Sequence, residues 1–134
     1  MEKERIIVDA SIVVKWFLEE EFSNDALRLR NDYIRGIIVI AVPSLLEYEV
    51  LNTLKYSGVY SLEELREIGI ALNKYGFEVH ELEGKLKELT IKIAVKNNTT
   101  IYDASYIALA THLNTTLYTS DKELTRNPQT QQYI

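Results

Sequence analysis

Short apolar segments alternate with longer helical stretches along this chain, and that alternation limits the folds open to it. Ile37–Val42 is a continuous apolar run of the kind found in a strand that is buried on both faces of a sheet. Three shorter segments, Ile6–Val8, Phe77–His80 and Thr116–Thr119, are predicted as further strands. Strands that alternate with helices form βαβ units, so we expect an α/β fold with a mostly parallel sheet.

Six helices are predicted, and two of them begin with a recognisable signal. Pro43 is suited to the first helical position, which places a helix over Pro43–Tyr56. Ser61 and Glu64 have the spacing of a capping box at the start of a helix over Ser61–Tyr75. The other predicted helices are Ser11–Leu18, Ser23–Arg35, Glu83–Lys96 and Asp103–Leu113.

The composition excludes several classes of protein and site. The 134 residues suggest one domain over residues 1–134. The absence of cysteine excludes a disulfide framework and a thiolate metal site, and the two histidines have no metal-binding spacing, so we expect oxygen ligands for any metal ion. With 20 acidic and 15 basic residues the net charge is −5, which argues against a broad basic face for duplex DNA.

Neither a signal peptide nor a membrane span is predicted from the sequence. The charged N-terminal residues do not form a signal peptide. The longest apolar run is about eight residues, whereas a membrane span needs about 20. We therefore expect a soluble, cytoplasmic protein with a polar, loosely held tail over Asn127–Ile134.

Three aspartates are predicted to lie at the carboxyl edge of the sheet. Asp9 follows the first strand, Asp121 follows the last, and Asp103 opens a helix after a short extended piece, Thr100–Tyr102. Taken singly, each is explained by helix capping, for which aspartate is favoured. Taken together, carboxylates at one edge repel one another, and a hard divalent cation such as Mg²⁺, which prefers oxygen ligands, would neutralise them.

A fourth acid is expected from the helix predicted after the second strand, and two glutamates compete for the position. Leu46, Val50 and Leu54 mark the buried stripe of that helix, because successive residues advance by about 100°. Glu47 falls just beyond one edge of this stripe, near Leu54, and Glu49 lies about 60° outside the other edge, at Leu46. Periodicity alone leaves the choice between them open.

Four blocks of sequence carry a family resemblance over nearly the whole chain. They are IVDASIVVKWF at 7–17, PSLLEYEVLNTL at 43–54, IYDASYIALA at 101–110 and LYTSDKEL at 117–124. In this order and spacing they resemble the PIN domain family, and more closely the VapC-type toxin ribonucleases. In the second block the family pattern has an acid before an apolar residue and an asparagine three positions later, which selects Glu49 over Glu47.

The resemblance implies a three-layer α/β/α sandwich that binds Mg²⁺ or Mn²⁺ in an acidic pocket and cuts single-stranded or structured RNA. Matched by position, the catalytic and metal-binding acids are Asp9, Glu49, Asp103 and Asp121. The supporting polar residues matched in the same way are Ser11, Asn52 and Thr119. The family also implies a homodimer and, often, an antitoxin protein that blocks the pocket. The alternative is a catalytically silent PIN-like module that binds RNA or protein.

An acidic protein that binds RNA needs a local basic rim around its site. Lys15 and Lys122 are the candidates nearest the four acids in sequence. More distant candidates are Arg28, Arg30 and Arg126. The neighbouring Trp16 is expected in the core rather than against RNA, because tryptophan in an apolar helix is usually buried.

Overall fold

A five-stranded sheet forms the centre of the fold. The computed structural model describes residues 3–125 and 132–133 of the chain. The strands are β1 (Glu4–Val8), β2 (Ile38–Pro43), β3 (Glu78–His80), β4 (Leu117–Thr119) and β5 (Gln132–Tyr133). They lie in the order β3-β2-β1-β4-β5, and neighbouring strands pair in parallel. The prediction of an α/β fold with a mostly parallel sheet is therefore confirmed.

Helices cover both faces of this sheet. They are α1 (Ala10–Val14), α2 (Ser23–Ile34), α3 (Leu46–Ser57), α4 (Leu62–Tyr75), α5 (Gly84–Lys96), α6 (Ile101–His112) and α7 (Lys122–Thr125). Crossovers between parallel strands are right-handed as a rule, so the connections from β1 to β2 and on to β3 place α1 to α4 on one face. The return across the sheet to β4 places α5 and α6 on the other face. Accordingly, α3 packs against α1 and α4, whereas α6 packs against α5. The three-layer α/β/α arrangement is confirmed.

The core is built where β1 and β2 pair at the middle of the sheet. Ile6 lies beside Ile40 and Ile7 beside Ala41, and all four side chains are fully buried. Full burial of an isoleucine side chain contributes about 1.5–3 kcal/mol, which explains why these residues hold β1 at the centre. Because β1 is covered on both faces, the residue that follows it enters the interior. Within the described residues, no helix has the length and apolar character needed to cross a bilayer.

Trp16 belongs to the core, as the sequence predicts. Its indole N–H donates a hydrogen bond to the carbonyl of Ala26 over 2.9 Å, which satisfies its one polar atom inside the protein. The rings of Tyr75 and Phe77 pack against the indole, with centroids 5.1 and 6.0 Å away. Trp16 therefore contributes to packing and is unavailable for stacking on RNA bases.

The helix predicted to begin at Pro43 begins later. Pro43 ends β2, and α3 starts at Leu46. The strand tolerates this proline because pairing between β2 and β1 stops at Ala41. On the other side, the N–H of Ser44 donates to the carbonyl of His80 over 3.0 Å, so the ladder with β3 does not need an N–H at position 43. The prediction that proline opens this helix is wrong.

The prediction of an extended segment over Thr100–Tyr102 is also wrong, because α6 already begins at Ile101. The hydroxyl of Thr100 accepts a hydrogen bond from the Asp103 N–H over 3.0 Å, so the threonine caps the helix. Asp103 consequently lies inside the first turn of α6, and the helix is capped by Thr100 instead.

The sheet has one strand more than the sequence predicts. The two residues of β5 pair with β4 at the edge of the sheet. So short and polar a strand shows no apolar pattern that sequence reasoning could detect. The other residues of the tail predicted to be loosely held, 127–131 and 134, lie outside the described residues.

The capping box at the start of α4 is confirmed and can be tested directly. The Glu64 N–H donates to the Ser61 hydroxyl over 3.2 Å, and the Ser61 N–H donates to a Glu64 carboxylate oxygen over 2.9 Å. Ser61→Ala removes the first bond, so we expect the free energy of unfolding in urea to fall by about 1 kcal/mol. Ser61→Asp still offers an acceptor and should keep nearly all the stability. An equal loss in both variants would contradict this role of the cap.

Candidate active site

The chain changes direction across the sheet at β1, which creates a crevice at the carboxyl edge. From β1 the chain passes to β2 on one side, and it later returns to β4 on the other side. Segments that leave two such strands diverge, and α/β proteins bind ligands in the space between them. Asp9 follows β1 and Asp121 lies two residues after β4, so both aspartates lie at this crevice.

The carboxylate of Asp9 is held by two hydroxyl groups from different elements. Ser11, in the first turn of α1, donates to Oδ1 over 2.5 Å, and Thr119, the last residue of β4, donates to Oδ2. The hydroxyls are fixed in turn by backbone N–H groups, since Ser120 donates to the Ser11 oxygen over 2.8 Å and Asp121 donates to the Thr119 oxygen over 2.9 Å. This network positions Asp9 with the two supporting polar residues predicted beside it.

Helix capping does not account for the Asp9 side chain. Asp9 occupies the N-cap position of α1, yet its carboxylate makes no capping hydrogen bond to that helix. Its oxygens bind Ser11 and Thr119 instead. The residue is only 4% exposed, so a charged group is kept inside the protein, and no cationic side chain pairs with it among the residues that the structure describes.

Burial raises the pKa of Asp9 from 3.8 to about 6. The negative charge of Asp121 raises this pKa further, while the hydrogen bonds from Ser11 and Thr119 lower it. Desolvation is the largest effect, so the ionised carboxylate is costly in the folded protein despite its donors. A cation beside Asp9 would remove that cost.

Glu49 reaches the same region from α3. Its side chain is half-buried, and Oε1 accepts a hydrogen bond from the Tyr106 hydroxyl over 2.7 Å. Burial raises the pKa of Glu49, and the charges of Asp103 and Asp121 raise it further against the lowering effect of the Tyr106 hydrogen bond. Glu47, by contrast, is exposed. Of the two glutamates that periodicity leaves open, the structure brings Glu49 towards the aspartates.

All four predicted acids are electrostatic neighbours. The charge of Asp121 acts on both Asp9 and Glu49, and the charge of Asp103 acts on Glu49. They come from four places in the sequence: the end of β1, the first turn of α3, the first turn of α6 and the loop after β4. The fold therefore concentrates negative charge at the carboxyl edge of the sheet.

The donor chemistry of this cluster fits a hard divalent cation. Mg²⁺ and Mn²⁺ prefer carboxylate and water oxygens, and the four acids supply only oxygen. The raised pKa of the Asp9 carboxyl means that its negative charge is costly in the folded protein, a cost that a bound cation would offset. Among the described residues, no three acidic or histidine side chains already surround a single ion position. The carboxylates thus lie close to one another without enclosing one point.

The remaining predicted residues, a supporting asparagine and the basic candidates for the rim, take no part in the hydrogen bonds described above. Lys15 is buried, and its ammonium pairs with Glu20 over 2.9 Å, so the expectation that it lines an exposed basic rim is wrong. Asn52 is exposed on α3, one turn after Glu49. Lys122 is exposed directly after Asp121, as a rim residue should be. Arg126, a more distant candidate, lies outside the described residues.

Tyr106 is the contact residue that sequence reasoning missed. It lies three positions after Asp103 on α6, a spacing that places two residues on one helix face. The block IYDASYIALA contains it, but in an apolar helix a tyrosine resembles any other core residue. Burial and the neighbouring Glu49 charge raise its pKa, so its hydroxyl remains a proton donor. The sequence signal that could have identified Tyr106 is its position three residues after Asp103 on the same helix.

Known proteins resemble this chain in sequence and in fold. The sequence matches the PIN domain over residues 6–129. It is 31% identical over 130 residues to Ribonuclease VapC3 of Pyrobaculum aerophilum, covering 90% of this chain and 92% of that protein. The crystal structure of PAE2754 from the same organism is similar, with a TM-score of 0.68 and 25% identity over 96% of this chain and 83% of that one. That of Mycobacterium tuberculosis VapC20, a sarcin-ricin loop cleaving toxin, has a TM-score of 0.69 and 15% identity over 90% of this chain and 93% of that one.

The raised pKa of Asp9 predicts how stability varies with pH when divalent cations are removed. Between 3.8 and about 6 the folded protein binds this proton more tightly than the unfolded chain, so stability falls as the pH rises through that window. In EDTA, we expect Asp9 to make the free energy of unfolding about 1 kcal/mol greater near pH 5 than near pH 7.5. Urea denaturation at the two pH values measures it.

The matched variant for this measurement is Asp9→Asn, which cannot ionise. Its difference in stability between the two pH values should be smaller than that of the wild type, and the remainder is assigned to Glu49, whose pKa is also raised. Glu64 and Glu78 do not confuse the result, because the pKa of each is lowered and both stay ionised in this range. An unchanged pH dependence in Asp9→Asn would contradict the assignment.

Proposed function

This chain belongs to the PIN domain family, and we propose that it is a Mg²⁺- or Mn²⁺-dependent endoribonuclease, the toxin of a toxin–antitoxin pair. The observation that carries the proposal is the gathering of four carboxylates at the switch point of the sheet, two of them with a raised pKa. The similarity to a ribonuclease over nearly the full length of both chains supports RNA as the substrate. We treat residues 1–134 as one nuclease domain.

The four acids are proposed to hold the cation. Asp9, Glu49, Asp103 and Asp121 would supply carboxylate oxygens from four separate elements. When bound, a divalent cation supplies Lewis acidity, which polarises a phosphate oxygen and makes a water molecule more acidic. Ser11 and Thr119 keep both oxygens of Asp9 oriented, so the carboxylate pays little ordering entropy when the ion arrives.

The substrate phosphate is proposed to lie between the acid cluster and the start of α6. The N-terminus of that 12-residue helix carries partial positive charge, which favours an anion nearby. Lys122, exposed beside Asp121, adds a positive charge at the rim. In the reaction, a water oxygen forms a bond to phosphorus and the bond to the 3′ oxygen breaks. The 3′ oxygen takes up a proton, which leaves a 5′-phosphate and a 3′-hydroxyl.

The proposed protein partners are an antitoxin and a second copy of the chain. A basic side chain from an antitoxin would neutralise the acid cluster and occupy the crevice at once, which is a direct way to inhibit the enzyme. A homodimer interface is proposed on the layer of α3 and α4, where Tyr48 is 81% and Leu62 64% exposed. Because its substrate is RNA and the chain has no cysteine, we place the protein in the cytoplasm.

A catalytically silent binding module is the less favoured function. Such a module needs the fold but gains nothing from a buried carboxylate that destabilises it. Here Asp9 is buried, hydrogen-bonded by two hydroxyls and subject to the charge of Asp121, and a silent module could replace both acids with neutral residues. The retained charge favours an enzyme.

Substitution of each of the two competing glutamates by glutamine tests the proposal. Glu49→Gln should lower the single-turnover cleavage rate of a generic single-stranded RNA with Mn²⁺ by at least about 100-fold, because a lost carboxylate weakens the bound ion. Glu47→Gln removes the same charge two residues away from an exposed position and should retain most of the activity. Circular dichroism checks that both variants fold.

The two results together decide the assignment. Residues two apart on a helix differ by about 200°, so both glutamates cannot face one small pocket. Full activity in Glu49→Gln beside loss of activity in Glu47→Gln would overturn the choice of acid. Wild-type protein that cleaves no RNA in either metal ion, tested free of any copurified partner, would overturn the proposed activity itself.

A further inference from the structure

Tyr106 is a buried polar residue that the proposed reaction leaves unused. It is 1% exposed and is among the largest fully buried side chains of the protein. A phenylalanine would fill the same space without a hydroxyl group that must be satisfied away from water. The hydroxyl therefore requires an explanation from its contacts.

The Tyr106 hydroxyl lies between the segments that carry two of the site acids. It donates its single hydrogen to Oε1 of Glu49 over 2.7 Å. The backbone N–H of Ala10, the residue after Asp9, also acts on this hydroxyl and lowers its pKa. Within the described residues, Tyr106 is the one hydrogen-bond donor that reaches the Glu49 side chain.

Glu49 needs such a donor more than an ordinary surface glutamate does. Its side chain has three rotatable bonds, and the charges of Asp103 and Asp121 act on it, so repulsion favours rotamers that turn away from them. The Tyr106 ring is fixed by its burial on α6, which makes its hydroxyl a rigid anchor. The serine and threonine hydroxyls on Asp9 hold that acid in the same way.

We propose that Tyr106 is a positioning residue of the cation site, and that its hydroxyl holds the Glu49 carboxylate beside Asp103 and Asp121 before a cation binds. This inference rests on the proposed function, because it assigns Glu49 to the cation. It goes beyond that function because it assigns a role at the site to a buried residue of the largely apolar helix α6. Ordering the carboxylate in advance removes a cost that Mn²⁺ or Mg²⁺ would otherwise meet on binding.

The test is the affinity of the protein for Mn²⁺, measured by isothermal titration calorimetry without RNA. Tyr106→Phe keeps the ring and removes the hydroxyl, and we expect the Kd for Mn²⁺ to rise about tenfold. Tyr33→Phe is the matched control. Its hydroxyl donates to the carbonyl of Tyr75 over 2.6 Å, so the variant loses a comparable hydrogen bond that touches none of the acids. We expect it to bind Mn²⁺ as the wild type does.

A double-mutant cycle separates positioning from general damage to the core. In the Glu49→Gln background, Tyr106→Phe should change the Kd much less than in the wild type, because the carboxylate that it orients is absent. Saturating Mn²⁺ should also restore most RNA cleavage in Tyr106→Phe but not in Glu49→Gln. A tyrosine that only supports packing would show neither pattern. Thermal denaturation in EDTA verifies that each variant is folded.

The outcomes distinguish this inference from the function on which it rests. If Glu49→Gln weakens Mn²⁺ binding while Tyr106→Phe binds as the wild type does, the positioning role is overturned and the nuclease proposal stands. An equal effect of Tyr106→Phe in the wild-type and Glu49→Gln backgrounds also overturns it. If the wild type itself neither binds Mn²⁺ nor cleaves RNA, both proposals are overturned.

Discussion

A carboxylate buried at the end of the central strand is the constraint from which the rest of the site follows. Since β1 is covered on both faces, Asp9 enters the interior as soon as the strand ends. Its oxygens need donors there, and Ser11 and Thr119 supply them from α1 and β4. The hydrogen bond from Thr119 also links the end of β4 to the end of β1, at the point where the chain passes from one side of the sheet to the other. Fold and site thus share one network of hydrogen bonds.

Patterns that depend on near neighbours in the sequence were sufficient for much of the fold. The apolar run at Ile37–Val42 and the capping box at Ser61 are local signals, and both lead to the observed elements. The failures are cases in which a distant partner decides. Pro43 stays in β2 because β3 supplies the remaining ladder bond, and Thr100 moves the start of α6 by taking the capping task. The pairing of β5 with β4 has no local signal at all.

The residues of the candidate site also differ in whether a local sequence signal or a distant partner identifies them. Ser11 and Thr119 lie within two residues of an acid, so a family pattern could identify them, although only the structure shows that both hold Asp9. Glu49 cannot be chosen from helix periodicity, and the resemblance was needed. Tyr106 was missed because its partner is an acid 57 residues away, and Lys15 was assigned to the rim although it pairs with a nearby glutamate. Burial of a long basic side chain is invisible in composition.

The central claim is that these four acids form a cation site, and the anomalous scattering of Mn²⁺ in crystals of the wild-type protein tests it most directly. We expect an anomalous peak in direct contact with the Asp9 carboxylate and at least one more of the three remaining acids, and no such peak in Asp9→Asn crystals soaked identically. A wild-type map at saturating Mn²⁺ in which the ion lies elsewhere, or in which these carboxylates contact no ion, would contradict the claim.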